Sequence, residues 1–138
     1  MIIAIRISGL VEMPKESKET LFRMRLRKKY TAILVNETPE NFKLLKSVRN
    51  FIAYGPINEE TFSLLISKRA KSNDGKKIDV KNIVEQIAKK GISNSSIKPF
   101  FSLHPPRGGI DSKLHFPIRK GVLGDNTDKI NLLVRRML

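Results

Sequence analysis

The residues able to do chemistry are few, and their spacing argues against catalysis. His104 and His115 stand eleven positions apart, a separation with no resemblance to a metal-binding histidine pair. Arg107-Gly108-Gly109 has the glycines of a phosphate cradle without the Lys-Ser/Thr that completes one, and no G-x-G-x-x-G follows a strand-like run. Glu59-Glu60, and Glu16 with Glu19, fall where helices begin, so their charge meets the positive helix end rather than forming a catalytic carboxylate pair. The serines lack elbow glycines and an ordered histidine partner. With no cysteine in 138 residues, a thiolate nucleophile, a sulfur-ligated zinc and a disulfide framework are all excluded. No catalytic centre, cofactor or resident metal is expected.

Positive charge is what the chain does have. Lys and Arg number 27 against 13 Asp and Glu, a net +14 with a pI near 10.3, and the excess is spread over both halves. A fold under that much self-repulsion gains when a polyanion neutralises it. Nucleic acid is the first candidate. An anionic membrane is the second, but there is no apolar run near the roughly 20 residues of a spanning helix and no signal peptide, so a cytoplasmic protein is expected.

Two segments concentrate the charge. Five of the seven residues from Arg23 to Lys29 are basic (Arg23, Arg25, Arg27, Lys28, Lys29), and Arg49 follows later. The second segment, 99–125, holds four of the seven prolines and four of the eight glycines, which no long regular element tolerates. It carries Arg107, Lys113, His115, Arg119 and Lys120, while Gly108 and Gly109 would let the backbone approach a phosphate closely. Arginine offers phosphate a planar donor fork, and His104 and Phe116 are candidates to stack on unpaired bases. Two readings of 99–125 stand side by side: a solvated surface loop, or a basic loop ordered by RNA. The second fails if the stretch packs tightly on the protein's own body with its cations facing acids of the same chain.

The elements that must position these groups follow from pattern. Residues 2–8 read as a buried β-branched strand. A helix capped at Ser17, or opening at Thr20, runs to Met24 or Arg25. Residues 30–35 form a second strand, Thr38-Pro39-Glu40 starts a second helix with Phe42, Leu45 and Val48 inward, and residues 51–54 form a third strand. Residues 1–57 are therefore β-α-β-α-β in two layers. The 58–138 extension adds a helix from Asn58, with Phe62, Leu65 and Ile66 inward. Another runs from Asp79 to Gly91, and a last one, begun by Asn126 or Thr127, carries the stripe Ile130, Leu133, Val134, Met137.

S-L-H-P-P-R-G-G-I (102–110), K-L-H-F (113–116) and D-K-I-N-L-L-V-R-R-M (128–137) resemble the C-terminal hallmark of the large-subunit ribosomal protein L-thirty family in its long archaeal and eukaryotic form. T-L-F-R-M-R-L-R-K (20–28), T-P-E-N (38–41), F-I-A-Y-G (51–55) and L-I-S-K-R-A (65–70) resemble its earlier part, so the resemblance covers essentially the whole chain. Short members carry Gly where Arg25 stands. The chain opens at its first strand without the basic arm of eukaryotic members, which points to the archaeal type. The resemblance implies a small ferredoxin-like α+β domain with a helical and loop C-terminal subdomain. It also implies a structural, non-enzymatic role in the large ribosomal subunit, with large-subunit rRNA and neighbouring ribosomal proteins as partners, a place near 5S rRNA and no obligate homo-oligomer. The alternative is a ferredoxin-like enzyme for an acyl or aryl phosphate, using the 9–15 loop and Arg23 as an anion cradle.

Overall fold

A β-branched, apolar strand is buried on both faces only when it lies inside a sheet with cover above and below, and that is where the first strand sits. The computed structural model describes residues 1–138 except Leu10, Glu12, Ile78, residues 91–96, Pro117, Arg119 and Lys120, and the side chains of Lys90, Asp111 and Ser112. Every position of β1 (Ile2–Arg6) is buried. It pairs antiparallel with β2 (Thr31–Val35), matching Ile5 to Ala32, and with β3 (Ile52–Pro56), matching Ala4 to Tyr54. With α1 (Lys15–Arg23) and α2 (Pro39–Ser47) between them, residues 1–57 have the β-α-β-α-β order read from the sequence, and the α+β, ferredoxin-like class is the expected one.

Residues 99–125, read from composition as lacking any long regular element, contain three short strands. β4 (Phe100–Ser102) adds to β2, β6 (Gly121–Asp125) runs parallel to β3, and β5 (Asp111–His115) flanks β6, giving one sheet in the order β4-β2-β1-β3-β6-β5. These strands are short and bounded by Pro and Gly, and their partners lie far away in the chain, so no local period announces them. One glycine marks the β5–β6 connection: a Cβ on Gly121 would lie 2.6 Å from the His115 carbonyl oxygen.

The alternation of β1 sends Ile3 and Ile5 to one face and Ile2, Ala4 and Arg6 to the other. The first face is covered by α3 (Glu59–Arg69), α4 (Val80–Lys90) and α5 (Ile130–Met137), through residues that include Phe62, Leu65, Ile87, Leu133 and Met137. The second is covered by α1 and α2 through Leu21, Leu45 and Val48. Phe42, expected inward, lies on the surface. No described helix is long and apolar enough to cross a membrane.

Helix starts follow local chemistry where a cap is present. The Thr38 hydroxyl accepts from the Asn41 amide at 3.3 Å, the Asn58 side chain from Thr61 at 2.8 Å, and the Asp79 carboxylate from Lys81 at 3.2 Å. Two starts differ from expectation. α1 begins at Lys15 behind Pro14, whose side chain has no acceptor with which to cap the first turn. Neither Asn126 nor Thr127 caps α5. The Asn126 amide turns back to the carbonyls of Val122 and Gly124, and a 3-10 turn, Thr127–Lys129, leads into the helix. Gly91, the expected stop of α4, lies outside the described residues.

Arg6 was hidden inside an apolar strand. Only 2% exposed, it donates from Nε to the Ser8 carbonyl at 2.9 Å and from Nη1 to the Leu26 carbonyl at 2.8 Å, with Nη2 3.9 Å from the Met13 sulfur. Its own carbonyl accepts from the Tyr30 amide at 2.7 Å. Burial lowers its pKa from the ordinary value, yet an arginine stays protonated in a protein. Arg6→Met leaves two carbonyls without their donor. A loss of about 1–3 kcal/mol is expected in urea unfolding, with faster hydrogen exchange at the Tyr30 amide; an unchanged midpoint and unchanged exchange would contradict this role.

Candidate nucleic-acid interface

Strand direction decides which basic residues meet. β1 finishes, and β2 and β3 begin, at one end of the sheet. β4 finishes there too, since Ser102 pairs with Thr31, and β5 and β6 start there because both run parallel to β3. Residues 24–30 and 103–110 therefore share that end and touch, with the Leu103 amide donating to the Tyr30 carbonyl at 3.0 Å. Arg49 follows the end of α2 at the same place.

The first segment is a helix terminus with an unusual residue in it. The Leu26 amide donates to the Leu21 carbonyl at 2.9 Å and the Arg25 amide to Phe22 at 3.1 Å. This is the paired hydrogen bonding of a Schellman stop, completed by contact between the buried Leu21 and Leu26. The position between, usually glycine, is Arg25 at φ +65°. A side chain in that conformation costs roughly 1–2 kcal/mol, so the chain keeps a cation where local stability favours glycine. The helix thus ends where the sequence placed its stop, with Met24 as cap.

Two of the other cations lie over rings rather than beside acids. The Arg27 guanidinium lies 4.3 Å from the centroid of Phe22, and the Lys29 ammonium 5.2 Å from that of Tyr30. Ion pairs between described residues join the Met1 amino group to Glu37 and Arg135 to Glu60. Arg23, Arg25, Arg27, Lys28, Lys29, Arg49 and Arg107 have no described carboxylate partner within salt-bridge distance. Arg49 is near enough to Tyr54 to oppose the rise in that phenol's pKa, which burial causes and the Asp125 carboxylate reinforces.

The second segment leans on α5. The His104 amide donates to the Met137 carbonyl at 2.9 Å and the Arg107 amide to Arg136 at 3.1 Å, satisfying carbonyls that a helix end leaves open. The Arg136 guanidinium returns from Nε to the Arg107 carbonyl at 2.8 Å and from Nη2 to the Gly109 carbonyl. Gly108 and Gly109, at φ +80° and +73°, give the turn that brings those carbonyls round. Residues 104–109 are thus packed against the end of α5, and no described acid pairs with the exposed Arg107 side chain.

Between the segments lies a groove of about 300 Å³ lined by Arg25, Arg27, Lys28, Thr31, Phe100 and Ser102. Phe100, Thr31 and Ser102 were not among the residues the sequence singled out. The signal available was the P-F-F-S run, whose alternation buries Phe101 and leaves Phe100 37% exposed. Lys113 and His115 are not brought to this end of the sheet as a group. They lie along β5, at the opposite edge from β4 and roughly 24 Å away by strand spacing, with His115 half-buried. Phe116 is half-buried and His104 exposed; Arg119 and Lys120 lie outside the described residues. The anion cradle of the enzyme alternative is not assembled, since Arg23 occupies the last turn of α1, about 12 Å along the axis from the end that the 9–15 loop enters.

No family model matches the chain. Along nearly its whole length it is similar to proteins named large ribosomal subunit protein uL30. That of Archaeoglobus fulgidus is 33% identical, with 99% of each chain covered. That of Desulfurococcus amylolyticus is 32% identical over 97% of this chain and 96% of the relative. That of Methanosphaera stadtmanae is 28% identical over 100% of both.

Arg25→Gly separates the two demands on that position. Stability in urea is expected to rise by about 1 kcal/mol, while the slope of log affinity for RNA against log salt becomes shallower by about one. A less stable variant would refute the strain at this position, and an unchanged slope would refute its contact with phosphate.

Proposed function

The chain belongs to the family of large ribosomal subunit protein uL30, and on that premise we propose that it is held in the subunit through the basic end of its sheet. It is a structural, non-enzymatic constituent of the large ribosomal subunit, working on cytoplasmic ribosomes with rRNA and other ribosomal proteins around it. The finer reading is ours. Arg23, Arg25, Arg27, Lys28, Lys29 and Arg49 engage backbone phosphates on one side, while Arg107, Gly108 and Gly109 enter an adjoining groove or junction. Lys113 and His115 make a separate contact along the other edge of the sheet, and Arg119 and Lys120 add to the rRNA contacts. The partner is large-subunit rRNA close to the 5S rRNA, and the protein acts as a single copy. Residues 1–57 supply the core and the first cationic segment, and residues 58–138 the second.

The observation that carries this reading is the set of arginines and lysines at one end of the sheet without carboxylate partners among the described residues. An exposed cation cluster left uncompensated repels itself, and a phosphate backbone removes that cost.

Two measurements test it. The endogenous protein is expected to co-sediment with large subunits and to leave only at high salt. If about 6–10 phosphates are neutralised, affinity for an rRNA fragment falls by about three to five orders of magnitude between roughly 50 and 200 mM salt; binding indifferent to salt would refute the electrostatic anchoring. Arg107→Ala is expected to weaken binding to structured rRNA more than to random duplex. Equal losses would make that arginine a generic counter-ion.

A further inference from the structure

The groove between residues 25–31 and β4 has a chemistry more selective than phosphate attraction. Strand pairing sets Thr31 opposite Ser102 and Ile33 opposite Phe100, so these four share the face on which α1 and α2 pack. Ile33 reaches the core there. Phe100, one strand further out on the edge, is 37% exposed. The Arg25, Arg27 and Lys28 cations stand around it, and no carboxylate lines the groove among the described residues. Stacking on Phe22 fixes the Arg27 guanidinium in advance, which lowers the ordering cost of binding. The hydroxyls of Thr31 and Ser102 bond no described protein group.

We propose that this groove receives one unpaired nucleotide of rRNA, its base against the Phe100 ring and its phosphate among Arg25, Arg27 and Lys28. The inference rests on the rRNA-binding reading above and narrows it to a single-stranded feature. A ring face left open has no use for a paired base, which presents only its edge, whereas a splayed-out base stacks on it. The free hydroxyls suit a ribose 2′-OH or a base edge. At about 300 Å³ the groove lies at the small end of ligand sites, sized for one nucleotide and not for a helix.

The test compares two RNAs on the full chain at one salt concentration: an eight-nucleotide single-stranded oligoadenylate and a blunt 16-base-pair duplex. Phe100→Leu, which keeps an apolar side chain on the strand edge, is expected to weaken oligoadenylate binding about tenfold or more and duplex binding by less than about twofold. Arg27→Ala is expected to weaken both. In the wild-type protein, the Phe100 ring protons are expected to move upfield in NMR spectra as oligoadenylate is added, a readout that needs no variant to fold. Equal effects of Phe100→Leu on the two RNAs, or ring protons that stay in place while oligoadenylate binds, would overturn the nucleotide site and leave rRNA binding standing. Binding of neither RNA by the wild-type chain would overturn the rRNA reading itself.

Discussion

A buried arginine whose described partners are carbonyls rather than acids decides where the basic end of this molecule lies. Arg6 closes the central strand, and its guanidinium is satisfied by carbonyls of two different loops while its own carbonyl holds Tyr30. Burying a charge is costly unless it is fully hydrogen-bonded. The segment that supplies Leu26 is therefore not free to drift, because leaving would strand the cation. That segment carries Arg25, Arg27 and Lys28, so one interior cation fixes three exterior ones. The usual relation between core and surface is inverted here: polar bonding inside sets the register of the charges outside.

The same economy appears on the opposite face. Asn131 accepts from the Asn58 amide at 2.9 Å and donates to the carbonyls of Pro56 and Asp128. It thereby ties α5 to the junction of β3 and α3. With α5 located, its terminal carbonyls and Arg136 locate the Arg107-Gly108-Gly109 turn. Both charged segments are thus irregular in shape but rigidly referenced to the sheet, one through Arg6 and the other through α5. Preorganisation of this kind is what a surface needs if binding is not to lose its gain to loop ordering.

Much of the fold was legible because its signals are local. Thr38-Pro39 and Asn58 cap the helices they were expected to cap, and the Ile130, Leu133, Val134, Met137 stripe is buried as its spacing requires. What escaped was non-local. β4, β5 and β6 are short strands among prolines and glycines, specified by partners elsewhere in the chain rather than by a period of their own. Arg6 sat in an apolar run where its burial could not be read from residue type. At the candidate site the cations of 23–29 were legible as a charge run and Arg107 as part of a motif. Their convergence was not, since it depends on which ends of β2 and β4 coincide. Phe100 became visible only once β4 was known to be an edge, and the split from Lys113 and His115 only once β5 was known to be the other.

The docking of residues 103–110 on Arg136 and Met137 also orders events in time. A growing polypeptide can build its central strands and pin the first cationic segment early, from residues made in the first half of synthesis. Arg107 remains without its platform until translation has passed Met137, well after Arg107 itself has been made. A product halted before Arg136 would therefore lack both the carbonyl and the guanidinium that hold the 104–109 turn in place.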